Sequence, residues 1–394
     1  MKILIATPTL FDKSSPFNHL LRAILEGLTA KGHPLTRLVA VENGQDTGYD
    51  LGLEDQQISY IPVARKQAAH SNIISRYLMD SWTNFRMARR LRKLEGDVLF
   101  EDVSYCSWLT VRAAKKRGMQ VVAMLQDVWP DNAVQSGLIR EGSLLYRFFE
   151  HFQRYVYGKA DRIICISDDM KAFLASKGVP EEKIHVIYNW GYSDDVVEIP
   201  WQENEFVKKY DLSPDIFYAV YAGNIGRMQN VELVAEAAKL LRQRKDIHFL
   251  IIGDGARREA IEALVKENRL KNVTMLPMQP SCLAEHIYSA AGVNIIPLVP
   301  GGVKTAMPSK TGVVLSCGRP VIFAFGKDAR FSATVESAGA GFCVDPSDPQ
   351  QLAQRILTLS ECGVYDSQKV WNVFKQYFVK GGGVARYEKV ITGE

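Results

Sequence analysis

The chain has 394 residues, 47% hydrophobic and 23% charged, an ordinary globular composition and enough length for two domains with sizeable cores. A formal net charge of +4 is too small to point to nucleic acid. Six scattered cysteines (Cys106, Cys165, Cys282, Cys317, Cys343, Cys362) contain no Cys-x-x-Cys pair, which fits reduced thiols in a cytosolic protein rather than a disulfide frame or zinc site.

The N-terminal MKILIATPTLFD has one lysine and a short apolar run. It lacks the cationic start, long apolar region and cleavage site of a signal peptide and reads as a buried first strand, Ile3–Thr7. No apolar run approaches the roughly 18 residues of a membrane span, so any membrane contact would be peripheral. The loop FDKSSPFNHLL leads into a helix over His19–Lys31. There Ser14, Ser15 and Asn18 would meet a ligand through helix N-terminal amides; His19 either faces the ligand or is structural.

After a strand at Arg37–Val41 comes a cationic stretch, Ala64 to Lys93. It interleaves Arg65, Lys66, Arg76, Arg86, Arg89, Arg90, Arg92 and Lys93 with Ile73, Ile74, Tyr77, Leu78, Met79, Trp82 and Phe85. Such a basic amphipathic segment suits an anionic membrane surface or a lipid diphosphate. A helix packing its apolar face inward while its basic face is solvated reads equally well, and the two are compatible.

Strands follow at Val98–Phe100 and Val121–Leu125. The second leads to Asp127 in MLQDVWPDNAVQSG, and strand carboxyl ends are where α/β sheets place ligand groups. Asp127 either orients a ligand, or steadies positive charge developing on one, or caps the next turn. Trp129 either stacks on a sugar or lipid or is buried. A helix at Leu144–Lys159 and strands at Arg162–Ile166 and Ile184–Tyr188 complete the series. The acidic, Pro- and Gly-punctuated NWGYSDDVVEIPWQENE, Asn189 to Glu205, reads as a linker.

A second series follows, with strands at Tyr218–Ala222, His248–Ile252, Val273–Leu276, Val293–Ile296, Pro320–Phe323 and Gly341–Val344. Helices lie at Val231–Arg244, Arg257–Asn268 and Pro349–Leu359. Near-continuous apolar strands alternating with helices mean parallel sheets covered on both faces. Two series predict an α/β protein of two Rossmann-like, doubly wound domains: residues 1–190, a linker at 191–205, residues 206–375, and a helical tail at 376–394 after Gly381–Gly383.

Two loops of the second series suit an anion. In VYAGNIGRMQNVELVAEA, Gly223 and Gly226 let backbone approach a ligand, the following helix offers free N–H groups, and Arg227 adds charge. The alternative is that the glycines only turn the chain. In VPGGVKTAMPSKTGVVLSCGRPVI, Lys304, a capping Ser309 and Lys310 precede another helix, and these lysines are either phosphate ligands or solvated.

The order of these pieces resembles the GT-B glycosyltransferases, specifically the retaining family 4 (group 1) enzymes that build bacterial surface polysaccharides. The resemblance rests on MKILIATPT, DVWPDN, ADRIICISDDMKAFLASKGVPEEKIHVIYNW, YAGNIGRMQN, FLIIGDGARREAIEALV and PSKTGVVLSCGRPVI, and spans most of the chain. It implies a GT-B fold whose two domains face a cleft. The first would hold the acceptor and the second a UDP- or GDP-sugar. It implies a diphosphate near Gly223, Asn224 and Gly226, neutralised by Lys310 with Arg227 or Lys304. Gly253, Asp254 and Gly255 would line the cleft, and Met275–Met278, with Met278 a donor contact, would lie near the base. It further implies a hexosyltransferase without cofactor or metal, acting on a lipid-linked or other saccharide at the cytoplasmic membrane face. No Asp-x-Asp metal-diphosphate motif occurs.

The sequence departs from the family at Asn224 and Gln229, where Arg and Lys are common. It departs also at Thr305 and Val313, which replace two glutamates, the second of which usually grips the ribose; valine accepts no hydrogen bond. Pro277 and Gly292 differ as well. Two other readings follow: a binding or scaffold protein of this fold without donor affinity, and a nucleotide-sugar epimerase. A dinucleotide oxidoreductase lacks its Gly-x-Gly-x-x-Gly after the first strand.

Overall fold

Runs such as Val121–Leu125 and Phe249–Ile252 are apolar along their whole length, and each lies in the interior of a parallel sheet with every residue buried. The computed structural model describes residues 1–10, 16–42, 58–65, 73–362 and 365–394. Two compact units form. One comprises Met1–Asp131, Ile139–Tyr188 and Gly381–Glu394; the other comprises Asn132–Leu138 and Asn189–Lys380.

The first unit carries seven strands: β1 (Ile3–Leu10), β2 (Leu35–Glu42), β3 (Ile58–Arg65), β4 (Val98–Asp102), β5 (Gln120–Leu125), β6 (Arg162–Cys165) and β7 (Ile184–Val186). They run parallel in the order β3-β2-β1-β4-β5-β6-β7, so the winding reverses between β1 and β4. The apolar-run reading does not contain β3. This edge strand pairs with β2 from Leu35↔Ile58 to Glu42↔Arg65, yet it includes Pro62 and buries only Val63. A strand with one bonded side and a proline gives little hydrophobic signal.

The C-terminal helix Lys380–Thr392 runs through Gly381–Gly383 instead of starting after them. Each glycine costs a helix about 1 kcal/mol relative to alanine. Burial of Tyr387, which meets Phe100 edge-on at 6.2 Å, and of Val390 and Ile391 outweighs that cost.

The second unit has six parallel strands: β8 (Phe217–Ala222), β9 (Ile247–Ile252), β10 (Val273–Leu276), β11 (Val293–Pro297), β12 (Val321–Ala324) and β13 (Phe342–Cys343). Their order is β10-β9-β8-β11-β12-β13, so here the winding reverses between β8 and β11. Tyr221, Val234, Phe249, Ile251 and Ile295 belong to its core. Helix Val231–Leu240 stops short of the expected Arg244, whose guanidinium turns to Asp246 and Glu361 at 2.7 and 2.9 Å. The stretch after Asn189 is fixed to this unit by Gly191 N–H to Phe378 O (3.1 Å) and Val197 N–H to Ser316 O (2.8 Å).

Candidate functional site

A reversal of winding leaves a crevice beyond the carboxyl ends of two strands, the usual ligand position in open α/β sheets. In the second unit those ends belong to β8 and β11. Gly223 leaves β8 at φ 142°, Gly253 leaves β9 at φ 146° and Gly255 follows at φ 149°, a region that favours glycine. The two corners are built on each other. Gly223 N–H donates to Ile252 O at 2.9 Å and Ile225 N–H to Asp254 O at 2.7 Å. A Cβ on Gly255 would come within 2.5 Å of Asn224 Oδ1. Among the described residues, the amides of Asn224, Gly226 and Arg227 donate to no protein acceptor.

The expected juxtaposition of Gly226 with a helix start is corrected. The helix begins only at Val231, behind a left-handed Asn230 whose side chain donates to Leu298 O and Pro346 O, at 3.3 and 2.7 Å. The donors beside Gly223 are therefore loop amides. Gly226 is itself buried, covered by the side chains of Asn224 and Gln229. Glu232, in the helix's first turn, is paired with Arg257 at 2.6 Å.

Lys310 reaches this corner from the loop after β11. Its Nζ donates to Ala222 O at 2.9 Å and lies 3.8 Å from the centre of the Tyr221 ring. Among the described residues no carboxylate pairs with it. The side chain keeps some solvent contact, but the surrounding protein desolvates the ammonium and pulls it down from 10.5 to about 7. Val299 N–H donates to Met228 O at 2.9 Å, which staples the two loops together.

The other predicted donor residues are spread around this corner. Arg227 and Asp254 are exposed, and Asp254 Oδ1 accepts from Gly255 N–H at 2.7 Å. Lys304 is exposed on a 3-10 turn, and Met278 projects into solvent beyond β10. Ser309 does not cap the next helix, a correction: the cap position is Lys310, in helical conformation and without a side-chain cap bond. Val313 is buried. Thr305, also buried, donates to Gly302 O at 3.2 Å and to Gln135 Oε1, while Gln135 Nε2 donates to Gly301 O at 2.8 Å.

Three contributors were invisible in the sequence. Tyr221 carries Lys310 and donates its hydroxyl to Asn224 O. Tyr288 OH donates to Ala222 O at 3.4 Å. Arg258 ties β9 to β10 through Gly253 O and Leu276 O.

In the first unit Asp127 follows β5 and is exposed; its carboxylate has no hydrogen-bond partner among the described residues, so it caps no turn. Surrounding protein nonetheless pushes its carboxyl up from 3.8 to about 6. Trp129 is half-buried against Tyr105 and Phe149, with ring centres 5.6 and 5.4 Å away. Beyond it Asp131 accepts from Lys177 Nζ at 2.8 and 2.6 Å and from Tyr146 OH at 2.9 Å. Asn18 is buried in helix Pro16–Ala30 and His19 is exposed on it; Ser14 and Ser15 lie outside the described residues.

Two Rossmann-like domains, the second with glycine corners at its switch point, are the architecture of the GT-B glycosyltransferases. The chain matches the family model Glycosyltransferase Family 4 over residues 18–190 and the model Glycosyl transferases group 1 over residues 217–362, and it belongs to this glycosyltransferase family. It is 25% identical over 311 residues to WbjE of Pseudomonas aeruginosa, assigned as a glycosyltransferase, covering 78% of this chain and 76% of that one. It is 24% identical over 274 residues to WcaI of Escherichia coli K12, assigned as a glycosyl transferase of colanic acid biosynthesis, covering 68% and 67%. HepE of Anabaena, solved with UDP-glucose, superimposes with a TM-score of 0.73 over the whole of both chains at 15% identity, a likeness of fold.

Proposed function

We propose that the protein transfers a sugar from a nucleotide-diphosphate donor, held at the Gly223–Lys310 corner, to a hydroxyl of a lipid-linked or other saccharide acceptor in surface-polysaccharide synthesis. One observation carries this reading: a desolvated lysine without a carboxylate partner among the described residues sits against Gly223, in the loop where the amides of Asn224, Gly226 and Arg227 donate to no acceptor among those residues. A buried cation without a counter-charge is costly, and an arriving diphosphate offsets that cost. The UDP-glucose bound to HepE supports a sugar nucleotide as the ligand.

The chemistry follows from where charge develops. The bond from the anomeric carbon to the diphosphate oxygen breaks, the acceptor oxygen bonds to that carbon with retention, and the acceptor proton passes to a donor phosphate oxygen. Negative charge grows on the leaving diphosphate, so Lys310 and the preorganised amides hold it best in the transition state, in place of a metal ion. Asp127 orients the acceptor or steadies positive charge on the sugar; Gly253, Asp254 and Gly255 wall the donor, and Met278 lies by its base.

An anionic membrane face fits the helix Ile73–Leu91. Its surface exposes Leu78, Trp82 and Phe85, the two rings stacked at 5.8 Å, followed by exposed Arg86, Arg89 and Arg90. Arg65 is taken by Asp80 at 2.5 Å, and Lys66 and the side chain of Arg76 lie outside the described residues. Among the described residues no helix is long and apolar enough to cross a membrane.

A thermal-shift screen of UDP- and GDP-sugars, then product analysis with saccharide acceptors, tests the reading. A stabilising donor and a glycosylated product are expected. Stabilisation by no nucleotide sugar favours the binding protein, and an isomerised or free sugar formed without acceptor favours the epimerase.

A further inference from the structure

Lys310 alone does not explain its own position. A flexible four-carbon side chain loses entropy when held in one place, and a single carbonyl bond is weak compensation. Its ammonium also lies over the face of Tyr221, the last residue but one of β8, whose side chain is completely buried. The same residue reaches the corner a second time, because its hydroxyl donates to the carbonyl of Asn224. One side chain thus touches both halves of the anion corner, the cation and the turn that carries the Asn224, Gly226 and Arg227 amides.

We propose that Tyr221 is a positioning residue for donor capture: its ring is the floor that fixes the Lys310 ammonium, and its hydroxyl fixes the turn from Gly223 to Arg227. This rests on the reading of that corner as the diphosphate site. The aromatic face attracts the protonated side chain without pairing its charge, so that charge is left for a phosphate, which a carboxylate in the same place would prevent. Glu232, the acid whose field reaches Tyr221, is bonded to Arg257, and Tyr288 supplies only a hydroxyl to Ala222 O. Burial pushes the Tyr221 hydroxyl up, so it stays a donor to Asn224 O.

The test is calorimetric titration of the full-length protein with UDP, for the wild type, Tyr221→Met, Tyr221→Phe, Lys310→Met and the double variant Tyr221→Met/Lys310→Met. Tyr221→Met should weaken UDP about tenfold, as loss of a partly desolvated cation–aromatic contact implies. In the Lys310→Met background the same change should cost only about threefold, the hydroxyl's share, because the ring then has nothing to hold. Tyr221→Phe keeps the ring and volume, and should lose about threefold through Asn224. A folded Tyr221→Met that binds UDP like the wild type overturns the proposal. So does an equal loss in both backgrounds, which marks a merely structural tyrosine. If Tyr221→Met does not fold, Tyr221→Phe decides: unchanged affinity removes the hydroxyl's role. A wild type that binds no UDP, GDP or other nucleoside diphosphate overturns the reading of the corner and this proposal with it. Wild-type binding with unaffected variants overturns this proposal alone.

Discussion

A Cβ added to Gly253 would stand 1.8 Å from the carbonyl oxygen of Gly223, so the ends of β9 and β8 interlock at a point that admits only glycine. Gly253→Ala must therefore move backbone, and at φ 146° it is also strained. The expected loss is about 3 kcal/mol or more in urea unfolding. Gly32→Ala, at φ 80° with nothing within 4 Å of the new carbon, should cost only about 1–2 kcal/mol. Equal losses would show that the interlock is not tight.

The depressed Lys310 fixes the sign of a pH effect on stability. Between about 7 and 10.5 the unfolded chain holds a proton that the folded chain has released, so stability rises with pH across that window. The cost of burying the charge is full below about pH 7 and absent above 10.5. Lys310→Met lacks that cost. The wild-type melting temperature should climb relative to the variant's as pH rises through the window, and parallel profiles would show an ordinary surface lysine.

Asp127 titrates in the opposite setting. Its folded carboxyl stands near 6 against 3.8, so between these values the folded chain keeps a proton the unfolded chain has lost, and this group's contribution to stability falls as pH rises. The carboxylate is the working form in the proposed reaction. The rate kcat/KM should thus rise from the acid side with a midpoint near pH 6. Asp127→Asn should lower kcat by about a hundredfold or more and lose that limb. An unchanged rate and profile would remove Asp127 from the chemistry.

Lys177 and Asp131 form a nearly buried pair, with side chains 12% and 13% exposed. Lys177→Met leaves the aspartate desolvated beside Tyr146, and should cost about 3–5 kcal/mol in chemical denaturation. A loss below about 1 kcal/mol would mean that water reaches the pair.

Much of this arrangement is legible in the sequence. Apolar strands alternating with helices gave both sheets, because a strand buried on two faces cannot hide its composition. The meeting of Gly223 with Lys310 followed from the motifs that resemble the family. What stayed hidden depended on tertiary neighbours. Tyr221 reads as one more apolar strand residue until Lys310 lies on it. Arg258 reads as an ordinary helix-start charge until β9 and β10 present their carbonyls. β3 has its hydrogen bonds on one side and a proline within, and Gly381–Gly383 are helical only because Tyr387 is buried beyond them. Ser309 looked like a cap by residue type, but the backbone puts Lys310 at that position.

Titration of UDP into the wild type, Lys310→Met and Lys304→Ala is the most direct test of the central claim that a diphosphate is held where β8 and β11 diverge. Lys310→Met should bind at least about tenfold more weakly, while the exposed Lys304→Ala stays within about twofold. Equal affinity in all three proteins, or no binding of any nucleoside diphosphate by the wild type, would contradict it.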